Sequence, residues 1–158
     1  MDNDNDDISV DISGEIELDQ ADIKSFEQLV KSILRQFDVG RAQVSVAIVD
    51  DEGIVKVHEK FLNSSSTTDV ISFDLSDDDD EFRTFEVVVN CDQAVRQSQL
   101  RGHSAVAEMG LYITHGMLHN MGYDDHDEDD AREMHSKEDE ILQQAGFGII
   151  YGRKELDN

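Results

Sequence analysis

The sequence predicts an α+β domain in which a mixed sheet of about four strands is covered by helices. Three observations predict it. Apolar residues recur with a period of two in four stretches and at spacings of three and four in five others, the signatures of half-buried strands and amphipathic helices. These stretches follow one another as β, α, β, α, β, β, α, α, α, an order that mixes strand directions instead of repeating a βαβ unit. A length of 158 residues suits one continuous core and not two. A single domain is therefore expected over 8–158, behind an acidic, flexible N-terminus at 1–7.

The first strand is expected over Ile8 to Leu18, where Ile8, Val10 and Ile12 alternate with polar residues and Gly14 reads as a bulge or bend. From Asp22, residues Ile23, Phe26, Leu29, Val30, Ile33, Leu34 and Phe37 fall on one helical face, and the helix stops near Gly40. Gln43 to Val49 is the second strand, with Val44, Val46 and Ile48 inward, and Asp50 to Gly53 supplies turn chemistry before a short helix over Ile54 to Leu62. After the polar break Ser64 to Thr68, two β-branched stretches, Asp69 to Leu75 and Phe82 to Val89, flank an acidic loop. Asp92 to Leu100 reads as helix. Ala105 to Met121 is the next, with Ser104 as N-cap and Gly122 just past its end. Asp129 to Ala145 is the last, with Met134, Ile141, Leu142 and Ala145 on its apolar face.

Composition excludes several classes of function. No apolar run approaches the roughly 20 residues of a membrane span, and the start MDNDNDDISV is acidic where a secretory signal is basic and then apolar, so a cytoplasmic protein is expected. The lone cysteine, Cys91, excludes an internal disulfide and a cysteine-based zinc site, and reads as a small core residue. Asp and Glu number 37 against 13 Lys and Arg, a formal net charge of −24 that repels polyanions at long range and argues against a general nucleic-acid binder. The runs Asp2 to Asp7 and Asp77 to Glu81 read as a solvated tail and a loop tip.

Chemistry concentrates in His115-Gly-Met-Leu-His119-Asn-Met-Gly-Tyr-Asp-Asp-His126, which holds three of the six histidines. His115 and His119 are four apart on a helix, so their rings project from one face roughly 5 to 6 Å apart and can chelate one ion. A helix alone cannot wrap a tetrahedral ion, so a third ligand must come from chain that turns back, and Gly122 gives that reversal its freedom. His126 lies at the right distance to be that ligand. Three protein ligands leave a fourth position for water, the arrangement of a catalytic site and not a structural one. A metalloprotease helix of the HExxH type carries glutamate where this chain has Gly116, which disfavours a zinc peptidase. Asp124 and Asp125 are the carboxylates beside the site that can serve as base. His58, His103 and His135 are expected to face solvent or to cap.

The segment HGMLHNMGYDDH resembles the HGxLHLxGYDH signature of the YbeY family of bacterial single-strand-specific endoribonucleases and rRNA maturation factors. Leu62-Asn63 and Thr68-Asp69-Val70-Ile71-Ser72-Phe73 are similar to the family's LN and TDVLSF segments, and Phe85 to Val89 resembles its GDIVI strand. The resemblance covers roughly residues 8 to 150 in matching element order. It implies an α+β fold, one Zn²⁺ ion on three histidines, here His115, His119 and His126, and a strand Thr68 to Phe73 that borders the metal cleft. The signature has its third histidine ten positions after the first, whereas His126 lies eleven after His115. Imidazole suits zinc and loops tolerate insertion, so His126 is expected as third ligand, with Asp125 as the alternative. The family arginine between LN and TDV has no counterpart in Ser64 to Thr67.

The implied function is zinc-dependent endoribonuclease action in 3′-end maturation of the small-subunit (16S) rRNA and in ribosome biogenesis, with rRNA and the small ribosomal subunit as partners. The alternatives are a non-catalytic, zinc-containing ribosome assembly factor that binds a basic ribosomal protein through the acidic surface, and a metal hydrolase of another substrate.

Overall fold

The computed structural model describes residues 7–14, 18–64, 66–77 and 81–147. Most of the expected N-terminal tail (1–6), the end of the expected first strand (15–17), the middle of the acidic loop (78–80) and the end of the expected domain (148–158) lie outside the described residues.

The elements are β1 (Asp7–Gly14), α1 (Gln20–Gln36), β2 (Arg41–Val49), α2 (Asp51–Leu62), β3 (Val70–Asp74), β4 (Arg83–Asn90), α3 (Cys91–Arg101), α4 (Ala105–Asn120) and α5 (Glu128–Gln144). They form one four-stranded sheet in the order β1-β2-β4-β3. β2 runs parallel to both β1 and β4, while β3 pairs antiparallel with β4. The sheet is mixed, as the element order predicts.

Each helix begins where a short polar side chain can cap it. Asp19, Asp50, Asn90, Ser104 and Asp127 accept hydrogen bonds from the first-turn amides of α1 to α5 in turn. Asp50 is thus an N-cap, and Asp51 to Gly53, expected as turn, are the first turn of α2. A turn and a capped helix start draw on the same residues, and here the amides continue into the helix. Gly14 is no bulge: it pairs in register with Ile48, and a Cβ there would meet the Ile48 carbonyl at 3.1 Å. Close approach of two strands, not a bend, asks for glycine at that position.

Two cores result from the period-two alternation. Ala42, Val44, Val46 and Ile48 of β2 and Phe85, Val87 and Val89 of β4 pack with α1, α4 and α5 on one face. Val88 and Ile71 point to the other face and meet Ile54 of α2. At roughly 1.5–3 kcal/mol for each fully buried large apolar side chain, the first, larger cluster dominates stability.

Helix α4 is the centre of that cluster, touching α1, α3, α5, β3 and β4. Its residues 107–114 and 116–118 are buried, so it is apolar nearly all round, as a core helix must be. Among the described residues no helix is long and apolar enough to cross a membrane.

Candidate metal centre

The C-terminal turns of α4 present His115 and His119 on one face, and the seating of that face depends on Gly116. A Cβ there would meet Val70 and Val87 at 3.2 Å and Ser72 at 3.4 Å, so α4 lies directly on β3 and β4. The same contact explains the absent protease glutamate, because a carboxylate on residue 116 would be driven into the sheet.

The two rings are orthogonal, 4.6 Å between centroids, with their Nε2 atoms 3.1 Å apart. Each Nδ1 faces an obligate acceptor: His115 Nδ1 lies 2.5 Å from Glu138 Oε2 on α5, and His119 Nδ1 lies 3.1 Å from the Tyr123 carbonyl. A carboxylate and a carbonyl can only accept, so both Nδ1 atoms carry the proton and both Nε2 lone pairs turn toward one point. Two lone pairs at that separation repel unless a proton or a metal cation lies between them.

Past α4 the chain reverses at Gly122, whose φ of +104° suits glycine, and the Tyr123 amide donates back to the Leu118 carbonyl. This reversal brings Asp125 to the pair, its two oxygens 3.7 Å from His115 Nε2 and 3.8 Å from His119 Nε2. One donor atom from each of His115, His119 and Asp125 lies within 4.8 Å of the others, a group that can hold a metal ion. Donor separations of 3.1 to 3.8 Å bracket the edge of a tetrahedron with zinc–ligand bonds of about 2.0–2.2 Å.

His126, expected as third ligand, is not brought to the pair. Its side chain is 85% exposed, with Nε2 3.1 Å from Asp124 Oδ2. The turn after Gly122 delivers Asp125, the alternative, to the histidines and carries the next residue past them into solvent. Asp124 is tied up as well, since its other oxygen accepts the Asp125 amide at 2.7 Å.

Electrostatics in the cleft favour a cation. Burial is the largest single influence on His115 and pulls its pKa down, yet the hydrogen bond and charge of Glu138, with Asp69 and Asp125 behind them, outweigh it and leave the ring above its ordinary value. Asp69 also lines a depression of 260 Å³ with Thr67, Thr68 and Gln93.

Among the described residues none of the other histidines joins the donor group, as expected, but His103 does not face solvent. His103 is buried, its side chain 7% exposed, and bonds Glu108 at 2.5 Å; His135 bonds Glu138 at 2.9 Å; His58 reaches the Ser66 carbonyl at 2.7 Å. Glu108 and Glu138 were absent from the expected set, although both are fully buried. Glu138 had a detectable signal: it stands four residues after Met134 and three before Ile141, a carboxylate on the apolar stripe of α5.

The endoribonuclease YbeY family model matches residues 10–146. A relative from Carboxydothermus hydrogenoformans named endoribonuclease YbeY is 32% identical over 86% of this chain and 94% of its own length. One of the same name from Bacillus licheniformis is 36% identical over 67% of this chain and 73% of its own. The solution structure of TM1509 from Thermotoga maritima superposes with a TM-score of 0.62 at 21% identity, covering 86% of this chain and 88% of that one, which shows a shared fold. With the match spanning β2 to α5 and both helical histidines, the chain belongs to the endoribonuclease YbeY family.

Proposed function

We propose that the chain is a zinc-dependent, single-strand-specific endoribonuclease that matures the 3′ end of small-subunit rRNA in the cytoplasm, with His115, His119 and Asp125 holding one Zn²⁺ ion. One observation carries the reading: both histidines have their Nδ1 protons committed and their Nε2 atoms converging 3.1 Å apart beside a carboxylate. When bound, the ion supplies an activated water nucleophile and a positive charge against the phosphate under attack. The chain's own residues do the rest. Glu138 and the Tyr123 carbonyl orient the two imidazoles, the reversal at Gly122 sets Asp125 opposite them, and the shallow depression along Thr67 and Thr68 receives the neighbouring nucleotide. Three protein ligands would leave the ion one coordination position for water.

Metal content and cleavage of a single-stranded RNA, measured together, test this. Wild-type protein should carry about one zinc, and His115→Ala and His119→Ala should lose both the zinc and the cleavage. Asp125→Ala should weaken zinc binding by at least about tenfold, by loss of a direct ligand, whereas His126→Ala should bind zinc as the wild type does. The opposite pattern for this last pair would restore His126 as third ligand.

A second reading rests on the net charge of −24 and on the absence of Lys and Arg between Asn63 and Asp69. In it the chain is a zinc-containing assembly factor that binds a basic ribosomal protein and cuts nothing. A His119→Ala protein that rescued rRNA processing in cells lacking the wild type would decide for this alternative.

A further inference from the structure

Glu138 is a carboxylate with no exposed surface on the core-facing stripe of α5. Its two oxygens are divided between two imidazoles: Oε2 accepts from His115 Nδ1 at 2.5 Å and Oε1 from His135 Nδ1 at 2.9 Å. The side chain therefore cannot turn without breaking one of these contacts, and His115 cannot turn without losing Glu138. His115 is itself only 18% exposed and stands where α4 packs on α5. A buried carboxylate is costly unless its charge is answered, and a cation on the far nitrogen of His115 answers it through the ring.

We infer that Glu138, held from behind by His135, is the positioning residue of the metal centre, fixing the tautomer and ring plane of His115 and strengthening its Nε2 as a ligand. This rests on the metal reading above and adds that the site is anchored in α5, an element that supplies none of the three donor atoms. Carboxylate–histidine–metal relays of this kind set ligand basicity, and loss of the outer partner weakens metal binding by about 10- to 100-fold. Glu138→Gln keeps the shape and one acceptor oxygen for His115 but removes the charge. Glu138→Ala removes both.

Zinc affinity of the metal-free protein, read by competition with a chromogenic chelator, together with the urea midpoint of the same metal-free samples, separates positioning from a purely structural part. The dissociation constant for zinc should rise about tenfold in Glu138→Gln and approach 100-fold in Glu138→Ala. A purely structural Glu138 would lower the midpoint and leave the zinc affinity of the folded protein unchanged, and that result overturns the inference. If Glu138→Ala does not fold, Glu138→Gln decides alone. Wild-type protein that binds no zinc would sink the functional reading and this inference with it, whereas equally tight zinc in wild type and variants would sink only the inference.

Discussion

The two ends of α4 each bury a glutamate against histidine, and they do so to different ends. At the N-terminal end, Glu108 meets Arg101 Nη1 at 3.0 and 3.3 Å and His103 Nε2 at 2.5 Å. It also accepts from Tyr112, whose pKa is raised first by burial and then by the charge of Glu108. At the C-terminal end, Glu138 meets His115 and His135. Arginine is a permanent cation, so the charge of Glu108 is answered within the first constellation, which ties α3 to α4. Histidine has a second nitrogen and no fixed charge, so the second passes its demand for a cation out through His115 to the cleft. The same buried acid makes a structural pin in one place and, in our proposal, an anchor for the metal centre in the other, according to the residue opposite.

The largest expected effect breaks the pin. Glu108→Ala leaves Arg101, only 12% exposed, facing a cavity without its carboxylate. Removing one partner of a buried pair strands the other charge, so the loss should be about 3–5 kcal/mol in urea denaturation, in contrast to the few tenths of a typical surface substitution. Zinc affinity of the folded fraction should be that of the wild type. A marked fall in affinity would mean that the two ends of α4 act as one unit, and the distinction between pin and anchor would fail.

Gly116→Ala probes the other end by steric means. The added methyl meets two β-branched side chains at 3.2 Å on strands that are themselves hydrogen-bonded, so α4 or β3 must yield by a few tenths of an ångström. Overpacking of this kind costs about 1–3 kcal/mol, reduced by the gain of alanine over glycine within a helix. Because residue 116 adjoins His115, zinc affinity should fall together with the thermal midpoint. A midpoint loss with zinc binding intact would show that the donors tolerate a shift of the helix.

Much of this was legible in the sequence because periodicity reports which face is buried. Among the described residues the element order is the one that the spacing of apolar residues predicts, with α2 starting at Asp51 instead of Ile54, and Ser104 caps α4 as expected. The pairing of β1 with β2 was not legible, since alternation fixes a strand's faces but not its neighbours. Within the site, the helical histidine pair follows from spacing alone, whereas choosing between Asp125 and His126 requires the exit angle of a glycine turn. A single residue of slippage exchanges one side chain for the other. His103 was misjudged, and the partner of His135 missed, for a related reason: flanking charged residues suggest solvent, but their actual partners, Glu108 and Glu138, are five and three residues away and buried.

Ser104→Ala gives the smallest effect and the cleanest control. Ser104 Oγ accepts the Ala107 amide at 3.0 Å, one hydrogen bond at the first turn of α4, four residues before Glu108. Losing an N-cap of this type costs about 1 kcal/mol, because one first-turn amide is left without a partner. That lowers the midpoint by about 2–4 °C for a chain of this size. The cap adds no charge and touches no donor of the metal centre, so zinc affinity should stay at the wild-type value while Glu138→Gln, on α5 but bonded to His115 of α4, lowers it. Similar effects of Ser104→Ala and Glu138→Gln on zinc would reduce both to general loosening of the fold. Opposed behaviour, stability moving in one and affinity in the other, would establish that His115 is held from α5 and not from the start of its own helix.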